Sequence, residues 1–176
     1  MTQPFRMSDM STSSPSPKRI SPEDSRALRN ALGQFATGVT VIAAQTADGP
    51  VGMTANSFSS VSLDPPLVLW SIDKNSTRYD ALGAADRFSI NVLGAHQGDV
   101  ACAFAKNGRA FTRNNSVIED GVPVILDALV QFDCDLHARV DGGDHTIVLG
   151  RVRHVTLGCG EPLVFHQGTF GGFVPS

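Results

Sequence analysis

Residues 52–77 read GMTANSFSSVSLDPPLVLWSIDKNST and specify more of the architecture than any other part of the chain. The segment begins as a strand, in which successive side chains point to opposite faces. Thr54, Asn56 and Ser57 then place hydroxyl and amide groups on both faces. Because buried polar groups need hydrogen-bond partners, a strand that only contributed to the core would not carry hydroxyl and amide groups on both faces. The pattern favours a strand that lies along a flat ligand with a polar edge.

The end of the same segment predicts an anion site. Pro65-Pro66 interrupts the strand, and the apolar run 67–72 is typical of a short buried strand. Asp73–Thr77 adds one cation and two hydroxyls just before a predicted helix over 76–82. Helix N-termini offer free N–H groups and the positive end of a dipole. A ring-binding strand followed by an anion site indicates a nucleotide-like cofactor.

Length and composition indicate one globular domain. The chain has 176 residues, of which 41% are hydrophobic, and a formal net charge of −3. Without a long basic run, neither nucleic acid nor a membrane surface is expected as the main partner. No apolar run reaches transmembrane length. Residues 1–20 are predicted to form a disordered tail, and residues 21–176 a single domain.

Cysteine usage predicts a reducing compartment and no metal site. The chain has three cysteines and no CxxC pair, which indicates free thiols. Together with an N-terminus unlike a secretory signal, this favours the cytoplasm. Cys134 and His137 have the spacing of a metal-ligand pair, but residues 132–140 alternate as a strand with one buried face. The two side chains would then point to opposite faces.

Strands dominate the predicted secondary structure. A first helix is expected from Ser21, as N-cap, to Gly38. Strands are expected from 39 to 44, from 52, and over 67–72, 87–93, 128–140, 146–156, 163–166 and 169–174. Further short helices are predicted over 76–82 and 96–105, with mostly loop over 107–124, and Asp141–Asp144 has the composition of a hairpin turn. Such hairpin-connected strands predict a mainly β fold, an antiparallel barrel that is closed or partly closed, and not a doubly wound parallel sheet.

Local motifs exclude some cofactor sites and leave single residues ambiguous. Neither GxGxxG nor GxxxxGK[ST] occurs, which argues against a Rossmann or P-loop site. The amide of Asn56 can both donate to and accept from a ring edge, and His145 can be a switchable donor at the rim of a site. Asn56 fits a solvated edge strand equally well, and His145 an ordinary turn. Lys74 with Ser76 fits a simple helix cap, and Phe104 fits a core position.

The joint arrangement resembles a known family. GMTANSF, SLDPPLVLWSIDKNST, FSINVL and GGDHTIVLGRV occur in the order and spacing of the flavin reductase-like, FMN-binding split-barrel family. The match is closest to the small reductase components of two-component flavin-dependent monooxygenases, and it covers about residues 27–170. It implies an antiparallel Greek-key split β-barrel and a homodimer.

The resemblance also implies an activity. Members reduce FMN or FAD with NADH or NADPH, and the reduced flavin diffuses to a separate monooxygenase. Two other functions remain open on the same barrel. One is a non-enzymatic flavin carrier or redox sensor. The other is a reductase with a different final acceptor, such as a corrinoid or a ferric chelate, because fold alone does not fix function.

Cofactor-binding residues follow from the resemblance by position. The segment that lines the isoalloxazine in the family corresponds to Thr54, Ala55, Asn56, Ser57 and Phe58. The strand end that contacts the ring and ribityl chain corresponds to Ser71 and Ile72.

The resemblance assigns the remaining contacts as well. The phosphate-binding pair corresponds to Ser76 and Thr77, with Lys74 nearby. The helix end beside the flavin corresponds to Phe104 and Ala105. His145 corresponds to the histidine at which nicotinamide meets flavin and is the expected catalytic residue. Relatives often carry a hydroxylated aromatic near the C-terminus after a glycine and a basic residue. Residues 168–170 here read Gly-Thr-Phe, so no role is assigned there.

Overall fold

The computed structural model describes residues 17–175, and antiparallel strands dominate it. The strands in chain order are β1 (Thr37–Gly38), β2 (Thr40–Thr46), β3 (Gly49–Ala55), β4 (Ser59–Leu63), β5 (Pro66–Asp73), β6 (Arg87–Val92), β7 (Ser116–Glu119), β8 (Val122–Ile125), β9 (Val130–Gly142), β10 (His145–Leu157), β11 (Leu163–His166) and β12 (Thr169–Gly172). The helices are α1 (Ser25–Leu32), α2 (Tyr79–Gly83) and α3 (Gly98–Lys106), and a 3₁₀ turn over Ala95–Gln97 leads into α3.

The N-terminal tail predicted over residues 1–20 lies mostly outside the described residues. Residues 17–20 form neither helix nor strand. None of the helices within residues 17–175 is long and apolar enough to cross a membrane.

One seven-stranded antiparallel sheet forms the body, in the order β3-β2-β6-β9-β10-β5-β4. Its edge strands, β3 and β4, are consecutive in the chain, and only residues 56–58 join them. A link this short forces the sheet to curl until its edges nearly meet. The sheet therefore forms a barrel that is split between β3 and β4, as the sequence predicted. A three-stranded sheet, β1-β11-β12, and the hairpin β7–β8 complete the fold.

Two apolar clusters form the core. In the larger one, the Trp70 and Phe88 rings meet edge to face with centroids 5.6 Å apart. In the smaller one, Phe104 of α3 meets Phe111 with centroids 4.7 Å apart. Burial of a large apolar side chain contributes about 1.5–3 kcal/mol. The Trp70–Phe88 pair therefore helps to stabilise the sheet that contains both strands, and Phe104 helps to hold α3 against it.

The long hairpin β9–β10 forms where the sequence predicted it. Its turn contains Gly143, whose φ of 79° suits glycine better than other residues. β10 pairs with β9 on one side and with β5 on the other, and this register places His145 opposite Asp73. The first residue of β10 therefore lies beside the last residue of β5.

The first helix begins later than predicted. The sequence places its N-cap at Ser21, but α1 starts at Ser25 and Asp24 is its cap. The Asp24 carboxylate accepts a hydrogen bond from the main-chain N–H of Ala27 at 3.0 Å. The carbonyl of Ser21 accepts from Asp24 N at 3.2 Å and closes a turn ahead of the helix. Of the two candidate capping residues, the acidic one caps α1, and the Ser21 hydroxyl accepts from Glu23 N at 3.2 Å in the preceding turn.

The second helix also begins late, at Tyr79 instead of Ser76. The Ser76 hydroxyl accepts a hydrogen bond from Arg78 N at 3.2 Å, and its carbonyl accepts from Tyr79 N at 2.9 Å. These two bonds fold Ser76 and its neighbours into a turn. α2 is therefore only five residues long, and its first turn does not contain Ser76 or Thr77.

Residues 107–124, predicted as mostly loop with a short apolar docking piece, contain most of a hairpin. β7 and β8 pair across a turn at Asp120-Gly121, where φ is 46° and 84°. Every residue of β8 is buried. The Asp-Gly pair is the strongest short hairpin signal in that stretch, so the sequence contained the information and the prediction missed it.

Replacing Gly52 by alanine should destabilise the protein, because a Cβ there would lie 2.9 Å from ring atoms of both Phe104 and Phe111. Phe104 is completely buried. Overpacking of this kind costs about 1–3 kcal/mol. Urea unfolding of Gly52→Ala measures the loss. Gly98→Ala is the control, since no atom lies within 4 Å of a Cβ at Gly98, and it should retain wild-type stability.

Candidate functional site

A cavity of about 390 Å³ opens at the split of the barrel. Three segments line it: the end of β3 with the corner that follows, the end of β5 with its turn, and the start of β10. Its lining residues are Met53, Thr54, Ala55, Asn56, Ser57, Ser71, Asp73, Ser76 and His145. All except Met53 and Asp73 are residues that the sequence analysis assigned to a cofactor site. Residues far apart in the chain thus meet in one place.

Ser57 joins the two sides of the split. Its hydroxyl accepts a hydrogen bond from the main-chain N–H of Ser71 at 2.9 Å and donates to the Ser71 carbonyl at 3.2 Å. The corner after β3 is thereby attached to β5, although the two strands are not neighbours in the sheet. These two hydrogen bonds between the Ser57 hydroxyl and the Ser71 main chain fix the cavity wall.

The Thr54 hydroxyl is also used inside the protein. It donates to the carbonyl of Ala101 in α3 at 2.6 Å and so ties β3 to that helix. The carbonyl of Ala55 accepts a 2.7 Å hydrogen bond from the Thr40 hydroxyl. Thr54 and Ser57 therefore line the cavity, as predicted for a ligand-facing segment, while their hydroxyls bond within the protein. β3 also ends at Ala55, so Asn56 and Ser57 belong to the corner and not to a continuous strand.

Asn56 is the residue of this segment that fits the original argument. It is exposed, it lines the cavity, and no hydrogen bond joins its amide to another described residue. The amide can both donate and accept. Asn56 is therefore suited to recognise a ligand edge that alternates donors and acceptors.

Several predicted site residues lie in the core. Phe58 packs against Phe132 with ring centroids 5.6 Å apart. Ile72 and Phe104 are completely buried. For Phe104 this agrees with the core interpretation left open by the sequence. These side chains support the walls of the cavity and do not face it.

The side chain of Lys74 is bonded to the β9–β10 hairpin. Its ammonium group forms an ion pair with Asp141 and donates a hydrogen bond to the Gly143 carbonyl at 2.6 Å. Its main-chain N–H also donates to the Asp144 carbonyl at 2.9 Å. The hydrogen bond between the two side chains raises the pKa of Lys74 and lowers that of Asp141. We call these contacts the Lys74 clasp. They hold the hairpin turn against the end of β5.

His145 follows the clasp and is held by its neighbour. The Nδ1 of its half-exposed ring lies 2.7 Å from a carboxylate oxygen of Asp144. The hydrogen bond with His145 lowers the pKa of Asp144, so this group is an anion near neutral pH. An ionised carboxylate only accepts, so Nδ1 carries a hydrogen. Nε2 then remains for a ligand, as an acceptor when the ring is neutral and as a donor when it is protonated.

Arg78, which the sequence analysis missed, connects two other predicted residues. Its main-chain N–H donates to the Ser76 hydroxyl at 3.2 Å, and its Nη2 donates to the carbonyl of Ala105 at 3.1 Å. Ser76, Thr77 and Ala105 are thus brought to one place, although only Ser76 lines the cavity. An arginine directly after a serine-threonine pair was the signal that could have revealed it.

The three cysteines are free thiols, and none lies in the cavity lining. Burial raises the pKa of the Cys134 thiol to about 12, so it stays protonated and is a poor nucleophile. His137 on the same strand is exposed while Cys134 is buried. Within residues 17–175, no cluster of three or more histidine, cysteine or acidic side chains could hold a metal ion.

Residues 32–173 match the family described as flavin reductase like domain. The chain belongs to this family. The matched region includes every element of the cavity wall and ends after β12. The family and the split-barrel fold that the sequence predicted are therefore confirmed.

Relatives within the family agree on the enzyme class. The FMN reductase (NADH) SmoA of Agrobacterium fabrum is 53% identical over 152 residues, which cover 86% of this chain and 87% of SmoA. HsaB of Mycobacterium tuberculosis, the reductase subunit of a flavin-dependent monooxygenase, is 40% identical over 157 residues, which cover 86% of this chain and 84% of HsaB.

A solved structure in the family closely resembles this one. The NADH:FAD oxidoreductase SgcE6 of Streptomyces globisporus superposes with a TM-score of 0.86 at 38% identity, over 93% of this chain and 95% of SgcE6. The oxidoreductase class that the sequence predicted, with a flavin and a nicotinamide nucleotide, is confirmed by these matches.

Removal of the Ser57 hydroxyl should destabilise the barrel. Ser57→Ala leaves the main-chain N–H of Ser71 without its partner, and such a loss costs about 1–3 kcal/mol when the group is shielded from water. Equilibrium unfolding in urea gives the change in free energy. Asn56→Leu is the matched control, since Asn56 is exposed and unbonded to the described residues. Its stability should lie within about 0.5 kcal/mol of wild type. Equal stabilities for both variants would contradict the bridging role of Ser57.

Proposed function

We propose that this protein is an NADH-dependent reductase of FMN or FAD that supplies reduced flavin to a separate monooxygenase. One observation carries the proposal. In a chain of the flavin reductase-like family, three strand ends bring Asn56, Ser76 and His145 to one cavity. In the proposal Asn56 binds the edge of the flavin ring, Ser76 binds the phosphate and His145 binds the nicotinamide.

The cavity suits a flavin in size and in chemistry. Its volume of about 390 Å³ falls within the range of about 300–1,000 Å³ that is typical of small-molecule sites. Asn56 provides a donor and an acceptor for the ring. Ser76, which lines the cavity, and its neighbour Thr77 are proposed to provide hydroxyl donors for a phosphate, and hydrogen bonds to a charged group are the strong kind.

Redox chemistry belongs to the cofactors, since the flavin accepts a hydride from the nicotinamide. The protein holds the two rings in contact, and correct placement of reactants is a large part of such catalysis. Residues 54–57 suit this task because Thr54 is bonded to α3 and Ser57 to β5. A wall anchored at two points keeps its shape when a ligand binds.

His145 is proposed to position the nicotinamide and not to transfer a proton. Hydride transfer itself requires no general base. Asp144 fixes the ring of His145 through Nδ1, so Nε2 is the atom left for the carboxamide of NADH. A neutral ring accepts a hydrogen bond from that amide there. The sequence analysis expected a donor, which is the role that Nε2 has when the ring is protonated.

The test of the function is NADH oxidation by the purified protein with and without added flavin. Steady turnover that depends on FMN or FAD is expected. A protein that binds flavin without oxidising NADH would be a carrier or sensor. Turnover that requires a corrinoid or ferric chelate as acceptor would point to the other open activity.

Transfer to the monooxygenase is proposed to occur by diffusion of the reduced flavin. The exposure of Asn56 and His145 at the cavity supports this, because a ligand there can leave without passage through the core. The test is anaerobic ultrafiltration after turnover with NADH. Reduced flavin in the filtrate is expected, and retention of all reduced flavin with the protein would contradict diffusion. The proposal includes a cytoplasmic location, which the three free thiols support.

The protein is further proposed to be a homodimer. No residue of α1 is buried, and the side chains of Leu32 and Phe35 are 67% and 79% exposed. Both line a largely apolar hollow that also includes Asn56 and Phe165. A second copy of the chain over this hollow would cover apolar surface and complete the rim of the site. Leu163 of β11, by contrast, is already buried within one chain.

Sedimentation equilibrium at micromolar concentration should give the mass of two chains. Leu32→Glu combined with Phe35→Glu should shift the mass toward one chain, because charges in an apolar interface lose hydration without gaining a partner. Leu63→Glu is the control. Leu63 lies in β4 and is 95% exposed, so this variant should leave the mass unchanged. A monomeric wild type would contradict the dimer.

Asn56→Leu should weaken flavin binding by about one to two factors of ten, because a polar ring edge loses its partner at a cost of about 1–3 kcal/mol. Quenching of flavin fluorescence measures the affinity. The same variant should keep its folding stability, which separates a binding role from a structural one. Unchanged flavin affinity would refute the assignment of Asn56.

His145→Ala should raise the KM for NADH and lower kcat/KM, with little change in flavin affinity. The variant loses the group that orients the nicotinamide while residues 54–57 remain. His145→Asn retains a group able to accept a hydrogen bond and should be milder. Steady-state kinetics with varied NADH, together with a flavin titration, provide the measurement. A loss of less than about twofold, or an effect on flavin binding alone, would refute the role.

A further inference from the structure

We infer that Arg78, and not Lys74, supplies the positive charge that binds the flavin phosphate. This inference depends on the proposed function, because it concerns the phosphate end of the same site. Two cations, Lys74 and Arg78, flank the Ser76-Thr77 pair in the sequence. The structure gives them different surroundings.

Lys74 has its partners within the protein. Its ammonium group is paired with Asp141 and donates to the Gly143 carbonyl. A phosphate would have to compete with a carboxylate for this group. The hydrogen bond from Lys74 lowers the pKa of Asp141, so the carboxylate is an anion at neutral pH and stays a competitor. Lys74 is therefore a positioning residue, which holds the turn that carries His145.

Arg78 has unused hydrogen-bonding capacity. A guanidinium has five N–H donors, and one of those of Arg78 is bonded to the Ala105 carbonyl. Its Nε is buried, yet no atom of the described residues accepts a hydrogen bond from it. A buried donor without a partner is costly, and an oxygen of a bound phosphate would satisfy it.

The position of Arg78 suits a phosphate bound at Ser76. The Arg78 N–H donates to the Ser76 hydroxyl, so its main chain directly adjoins the proposed phosphate ligand. Within the described residues, Arg78 forms no ion pair with a carboxylate. Gly108 lies close behind the side chain, since a Cβ there would be 3.0 Å from Nε. Guanidinium groups match phosphate oxygens with two parallel hydrogen bonds. The guanidinium, the Ser76-Thr77 hydroxyls and Ala105 thus form one phosphate cradle.

A binding experiment without NADH tests the inference. Affinities for FMN and riboflavin, which differ by the phosphate, are measured by fluorescence quenching for wild type and for Arg78→Gln and Lys74→Gln. Glutamine removes the charge and keeps a polar amide. Arg78→Gln should lose at least about tenfold in FMN affinity and keep its riboflavin affinity, as expected for one charge-assisted contact.

Lys74→Gln is the matched control and should keep the wild-type preference for FMN over riboflavin. Arg78→Lys, which retains a point charge, should recover part of the preference. Arg78→Met is a second removal of the charge, to be used if the glutamine variant does not fold. The inference is refuted if Arg78 variants keep the full preference, if they lose both ligands equally, or if Lys74→Gln loses the preference.

The outcomes separate this inference from the proposed function. A wild type that does not reduce flavin with NADH would refute the function, whatever the binding data show. A wild type that reduces flavin, but whose Arg78→Gln variant still prefers FMN by the wild-type factor, would refute only the role of Arg78.

Discussion

The site depends on one constraint, the attachment of Ser57 to the main chain of Ser71. A sheet whose first and last strands are joined by three residues must curl, but curling alone does not fix how closely its edges approach. The Ser57 hydroxyl fixes that approach with two hydrogen bonds, one that it donates and one that it accepts. The cavity exists because the edges are held near each other without pairing. Asn56 faces this space because it lies immediately before the residue that forms the bridge.

Sequence reasoning succeeded where the signal was local. The Asp141–Asp144 turn and the alternation on either side of it gave the β9–β10 hairpin, and Asn56, predicted to face a ligand, lines the cavity. It failed where two local signals competed or one was overlooked. Asp24 and not Ser21 caps α1, and Asp120-Gly121 forms a turn within a stretch assigned mostly to loop. Neighbouring residues alone do not determine which of two capping groups is used.

Sequence reasoning about the site was limited for a different reason. Side-chain partners distant in sequence decide whether a polar residue faces a ligand. Thr54 is bonded to Ala101 and Lys74 is paired with Asp141, and neither contact can be inferred from spacing. The family resemblance pointed to the segments that line the cavity but could not distinguish lining residues from supporting ones. Arg78 was missed because its significance comes from an unsatisfied nitrogen, which only coordinates reveal.

Register between β5 and β10 determines where His145 stands relative to the end of β5. Main-chain ladders allow only whole-residue shifts, each of about 3.3 Å, and a shift by one residue also inverts the facing of every side chain. The position of His145 relative to the end of β5 can therefore change only in whole-residue steps. Fine adjustment, on the scale of tenths of an ångström that a transferred hydride requires, is left to the lengths of side chains. Evolution of a barrel of this type toward other acceptors would thus proceed by substitution at fixed positions and not by sliding of its strands.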